Sequence, residues 1–287
     1  MSKSVVVGSG SNVTFGLLRD LCDQLETGER TGGKKGITGA QLRAFLEHRN
    51  PFERAELEKV LPYADEETPS SYGYPDGFRI RTVQEQLKTL LEHFPNLDYS
   101  HVAELASGEL PEWAEGWAVI PKPEKVGKTY HTALAKVIEL IAKERKFQNW
   151  REGKLSEMHL RLKENTLQAH AKLNEQPGDY WVIPFQFGKK WAGHSVRNAQ
   201  ARFADNEFGL GPYEAAILLL THPDRITGSN QLYFDCAGCE YRPDASGDFF
   251  ACLNFYWYNF CRRLGLGSDR ADCVSDRFGA VSGFLAQ

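Results

Sequence analysis

The chain lacks any long apolar stretch. Its longest strongly apolar run is Ala215-Ala-Ile-Leu-Leu-Leu220, far short of the roughly 20 residues that cross a bilayer. No membrane-spanning helix, and hence no membrane partner, is expected. The three valines Val5–Val7 are equally short of the roughly 7–15 apolar residues at the centre of a secretory signal, so the expected location is cytoplasmic. An excess of one charge is missing too: 34 Lys+Arg against 38 Asp+Glu leave a net charge of -4, which excludes a strongly basic nucleic-acid-coating protein. With 41% hydrophobic and 25% charged residues the composition is that of ordinary globular proteins, not of a disordered chain or a fibre. There is no nucleophile elbow, no H-E-x-x-H and no EF-hand loop. Cysteine is sparse and lopsided: Cys22 stands alone while Cys236, Cys239, Cys252, Cys261 and Cys273 crowd the last quarter. A disulfide framework spreads its cysteines along a small secreted domain, so reduced thiols are expected.

What is present reads as an α+β architecture, with a mainly helical N-terminal half and a mixed α/β C-terminal part of short aromatic-rich strands. Val5–Val7 suggests a strand, and residues 13–25 place apolar side chains at helical spacing before the glycine-rich turn Gly28–Gly36. Thr38-Gly-Ala-Gln41 and Thr82-Val-Gln-Glu85 are capping boxes opening helices over 42–48 and 87–93, the second closed by Pro95. Two long amphipathic helices are expected over 129–146 and 156–173. Strand patterns appear at Tyr180–Ile183, Gln231–Asp235 and Phe249–Tyr258, and Gly211-Pro212 opens a helix over 213–220 that is apolar nearly all round and therefore buried. Turn formers fill 62–77, which predicts a linker between an N-terminal helical segment, 1–62, and an α+β domain, 78–287, with a sub-boundary near 175.

Charge is segregated: residues 53–115 hold 14 acids and 5 bases, and residues 122–163 hold 11 bases and 5 acids. The plain reading is solvated helix faces. Within the basic stretch, Lys143, Arg145, Lys146, Arg151 and Lys154 interleave with Phe147 and Trp150, the composition with which a groove contacts phosphates and stacks on bases. A helix end with cations in its last turn accounts for the same residues. Trp117-Ala-Val-Ile-Pro121 with Gly127-Lys128 is echoed by Trp181-Val-Ile-Pro184 with Gly188-Lys189-Lys190. Each copy is a strand, a basic loop and a helix start, which makes Lys128, Lys189, Lys190 and Arg197 candidate anion-binding residues.

Two nucleotide motifs are incomplete. Gly28-Glu-Arg-Thr-Gly-Gly33-Lys34-Lys35 has P-loop spacing but Lys35 in place of the hydroxyl that reaches magnesium, and Gly8-Ser-Gly10 is followed by Val13 where the third glycine of a dinucleotide fingerprint belongs. No cofactor is expected on these grounds. The one metal option is zinc on Cys236, Cys239, Cys252 and Cys261, where a single C-x-x-C pair is extended by loose spacing. His194, His222, Asp235 and Glu240 are candidate acid–base residues should they converge.

The segments Asn206–Gly211, Leu218–Pro223, Asp235–Gly238 and Ser282–Leu285, with Gly116–Pro121, resemble an uncharacterised protein family of uncultivated candidate-phyla bacteria. The resemblance runs from about Pro75 to the C-terminus and implies no known activity and no catalytic residue. It implies an acid where this chain has Cys239, which argues against a shared zinc site. The expected function is therefore binding, of a phosphate-bearing ligand or nucleic acid, rather than catalysis. The alternatives are a protein-interaction module using the aromatic residues Phe249, Phe250 and Phe255–Tyr258, and a hydrolase or metal-assisted enzyme using the C-terminal His, Asp and Glu residues.

Overall fold

A computed structural model of the chain describes residues 5–6, 12–13, 15–31, 36–47 and 62–285. The chain divides into two compact units, Met1–Val60 and Leu61–Gln287.

In the first unit β1 (Val5–Val6) pairs antiparallel with β2 (Asn12–Val13), followed by α1 (Phe15–Thr31) and α2 (Gly39–Leu46). Helix α1 runs through Gly28, where a stop was expected. The returning chain needs that glycine: a Cβ on it would lie 2.1 Å from the Ile37 carbonyl oxygen, and Ile37 N–H donates to the Gln24 carbonyl at 3.0 Å. Thr38 and Gln41 form the capping box of α2. The P-loop-like spacing thus begins inside a helix, while its residues 32–35, Gly8 and Gly10 lie outside the described residues.

The second unit opens with α3 (Val83–His93), α4 (Val102–Leu105), β3 (Gly116–Pro121), α5 (Pro123–Val126), α6 (Tyr130–Glu144) and β4 (Phe147–Asn149). There follow β5 (Leu160–Leu162), α7 (Glu164–Leu173), β6 (Tyr180–Gln186), α8 (Val196–Ala201), β7 (Glu207–Gly209) and α9 (Pro212–Thr221). The chain ends in β8 (Tyr233–Asp235), β9 (Cys239–Tyr241), β10 (Ala251–Tyr258), β11 (Arg263–Arg270), β12 (Phe278–Ala280) and β13 (Ser282–Phe284).

The mainly helical N-terminal half expected from the sequence is not found among the described residues, although both capping boxes open helices as expected. The structure is mixed, 32% helix and 22% strand, with two multi-stranded sheets mostly in the C-terminal part. Residues 62–82 hold no helix because prolines remove donors along them and because their side chains fasten to the body of the unit. Glu66 takes hydrogen bonds from Ser195 Oγ and from Arg197 Nε at 2.7 and 2.8 Å, and Leu232 N–H donates to the Gly73 carbonyl. Tyr74 and Phe78 cover the guanidinium of the fully buried Arg225, which donates to the Leu232 and Phe187 carbonyls. The helix expected over 156–173 is also shorter, because Leu160–Leu162 alternates as a strand paired with β9 and helix begins only at Glu164.

The larger sheet runs β12-β8-β10-β11-β4, with β9 on β10 and β5 on β9; the smaller runs β3-β6-β13-β7. They are joined at Val281, between β12 in one and β13 in the other, whose N–H donates to the Asp235 carbonyl and whose carbonyl accepts from Leu210. All ten residues of α9 are buried, as the apolar pattern required, and α9 packs on α6, α3 and β3. Its Ile217, Leu218, Leu219 and Leu220 each contribute roughly 1.5–3 kcal/mol of burial.

Candidate functional site

The β10–β11 hairpin pairs in register from Ala251↔Arg270 to Tyr258↔Arg263. Alternation sends Leu253, Phe255, Leu264 and Leu266 into the core with Phe234. Residues directly opposite one another share a face, so Asp235, Asn254 and Gly267 lie side by side across β8, β10 and β11 on the other face, with Tyr256 opposite Gly265. The glycines leave room there: a Cβ on Gly267 would meet the Tyr256 ring at 2.8 Å and Asn254 Oδ1 at 2.9 Å.

Over this face lies a cleft of about 610 Å³, within the ~300–1,000 Å³ range of small-ligand sites. Its aromatic lining includes Trp150, Tyr233, Tyr256 and Phe278, with Tyr233 edge-on to Phe278 at 5.5 Å and to Tyr256 at 6.4 Å. The polar lining includes Asn254, Asp269, Arg151 and Arg277. Arg151 lies over Tyr241 and Arg277 over Tyr72. Among the described residues neither guanidinium is in an ion pair, whereas the neighbouring Arg270 and Arg197 engage Asp272 and Glu66. Asn254 is 2% exposed; its Nδ2 lies 3.4 Å from Asp269 Oδ2 while its Oδ1 is buried without a partner. Behind it, burial and then the charge of Asp269 push the Asp235 carboxyl up from 3.8 to about 7, against the hydrogen bonds of Asn254 and Cys252.

Of the nucleic-acid candidates, Trp150 and Arg151 line this cleft. Arg145 instead donates to the Pro223 and Ile226 carbonyls, and Lys154 to the Pro243 carbonyl. Lys143 lines a separate pocket with Lys125 and Lys136, and Lys146 is exposed. The anion candidates do not form one site. β3 and β6 are antiparallel, Gly116 opposite Phe185 and Pro121 opposite Tyr180, so the chain leaves towards Lys128 and towards Lys189 at opposite ends of the sheet, about 17 Å apart at ~3.3 Å per residue. Lys190 is held by Glu207 at 2.5 Å and Arg197 by Glu66.

Nor do the cysteines gather. Cys236, Cys239 and Cys252 are buried, but Cys261 lies beyond the far end of β10, some 20 Å along the strand from Cys252 at ~3.4 Å per residue, too far to share a tetrahedral metal. Among the described residues no three His, Cys, Asp or Glu side chains are placed to hold a metal ion. The four acid–base candidates are dispersed as well. His194 faces Glu67 at 3.3 Å, and Glu240 holds Arg161 and Lys163. His222 accepts from Arg81 N–H at 3.0 Å, and burial lowers it to about 4. None of the four lines the cleft; Asp235 lies behind its floor, opposite Asn254 in the strand register. Missed by sequence reasoning were Tyr233, Asn254, Asp269 and Arg277; the signal that would have found them is Gly265-Leu-Gly267-Ser-Asp269 read as the strand opposite Asn254 and Tyr256.

No protein-family model, curated protein or solved structure matches the chain. No helix among the described residues is long and apolar enough to cross a membrane.

Proposed function

We propose that the cleft on the larger sheet binds a nucleotide unit, free or within a single strand, and that the protein does so in the cytoplasm. The observation that carries this reading is the pairing of two guanidinium groups, Arg151 and Arg277, in no ion pair among the described residues, with an aromatic wall in one cavity. Aromatic rings offer a face for a planar base, worth about 1–3 kcal/mol per stacked base, and guanidinium groups match phosphate oxygens in pairs. Of the basic–aromatic residues at 143–154, Trp150 and Arg151 line the cleft, while Arg145 and Lys154 donate to backbone carbonyls elsewhere.

The test is titration of the full chain with nucleoside monophosphates, the matching nucleosides and short single-stranded oligonucleotides, read by tryptophan fluorescence and calorimetry. Monophosphates are expected to bind about tenfold or more tighter than nucleosides, with affinity falling as salt rises. Arg151→Ala and Arg277→Ala are expected to remove that advantage, and Tyr256→Ala to weaken both classes. Oligonucleotides binding more tightly than monophosphates would identify the strand as the source. No binding at millimolar nucleotide, or binding unchanged in both arginine variants, overturns the proposal.

A further inference from the structure

On the floor of the cleft two acceptor groups stand together, the Asp269 carboxylate and the Asn254 amide oxygen. Asp269 is exposed there and, among the described residues, in no ion pair, since Arg270 beside it engages Asp272. Asn254 directs its amide nitrogen at this carboxylate. That contact fixes the orientation of the amide, because the reverse would set Oδ1 against a carboxylate oxygen. The nitrogen is thereby used, and the oxygen is left buried without a donor, a costly condition for a group that is 2% exposed. Gly267 keeps this corner open, since any Cβ would occupy it.

Building on the nucleotide reading, we propose that Asp269, positioned by Asn254, makes the cleft select a base whose edge carries two adjacent hydrogen-bond donors, guanine over adenine. A carboxylate accepts only. Guanine offers N1–H and the N2 amino group side by side, which match two carboxylate oxygens. Adenine offers one amino group next to a ring nitrogen that is itself an acceptor, so one oxygen of Asp269 would face a lone pair. Cytosine has the same donor–acceptor pattern, and uracil sets its single N–H between two carbonyls. A site committed to donors discriminates by refusing the partner that leaves its polar groups unpaired.

The experiment compares guanosine, inosine and adenosine monophosphates on the wild-type chain and on Asp269→Asn, with thermal unfolding of the variant as a folding check. Expected is a preference of about tenfold or more for the guanosine form over the adenosine form, an intermediate affinity for the inosine form, which lacks the N2 amino group, and loss of the preference in Asp269→Asn. Equal binding of all three, or a guanine preference that survives Asp269→Asn, overturns this inference and leaves the nucleotide reading standing. Binding of none of the three overturns both.

Discussion

Replacing Asp235 by Asn tests the electrostatics of the cleft without changing the shape of its floor. The carboxyl is 7% exposed and its pKa stands at about 7, raised by burial and by Asp269. Because the folded-state value lies above the unfolded one, the folded chain holds a proton that the unfolded chain has given up, and the resulting stabilisation is full below about pH 4 and lost as pH rises through about 7. Between about pH 5 and pH 7 this amounts to two units at about 1.36 kcal/mol each, or about 2.7 kcal/mol. Asn carries no titratable proton and no charge to bury. The unfolding free energy of Asp235→Asn minus that of wild type is therefore expected to rise by about 2.7 kcal/mol from about pH 5 to about pH 8.5, nearly all of it gained before pH 7.5. Urea unfolding followed by tryptophan fluorescence is suited to the measurement, because all six tryptophans lie in the unit Leu61–Gln287. A difference that stays level across that range, or grows towards acid, would refute the reasoning.

Gly267→Ala places a methyl 2.8 Å from the Tyr256 ring and 2.9 Å from Asn254 Oδ1, so a loss of about 1–3 kcal/mol in denaturant unfolding is expected from overpacking; a neutral result would mean that the glycine floor is not tightly fitted. Glu207 accepts from Trp191 Nε1, Ser282 Oγ and Lys190 Nζ at 2.8, 2.6 and 2.5 Å. Glu207→Gln leaves the lysine without its counter-charge and is expected to cost about 3 kcal/mol, most of it recovered in the Glu207→Gln/Lys190→Met pair; failure of the second change to recover stability would show that the ion pair is not the cause.

The parts of the fold legible in the sequence were those fixed by local chemistry. The capping boxes at Thr38 and Thr82 report on hydrogen bonds closed within four residues, and the all-apolar run after Pro212 leaves a helix no solvent face to present; neither depends on what lies across the chain. The sequence suggests a linker over 62–77 for the same reason: turn formers say that no regular element forms, but not that Glu66 meets Arg197 or that Tyr74 closes over Arg225, contacts spanning more than a hundred residues. Strand β11 is not legible in the sequence because Gly265 and Gly267 lower strand propensity, and only the partner strand explains them.

The site follows the same logic one level up. Asp235, Asn254 and Gly267 are separated by 19 and 13 positions in sequence and become neighbours through strand register. A one-residue slip of β10 would exchange Asn254 and Tyr256 for Leu253 and Phe255 on the cleft face; the apolar pair belongs to the core, so the hydrophobic effect that fixes the register also exposes the polar floor. Composition recorded only half of the arrangement, as five bases around Trp150, because a solvated cation and one aimed into a cleft are the same letter. Antiparallel pairing decides the other near-repeat as well: by setting Trp117 opposite Pro184 it turns two similar strand–loop segments end to end, so similarity in sequence separates the lysines in space instead of gathering them.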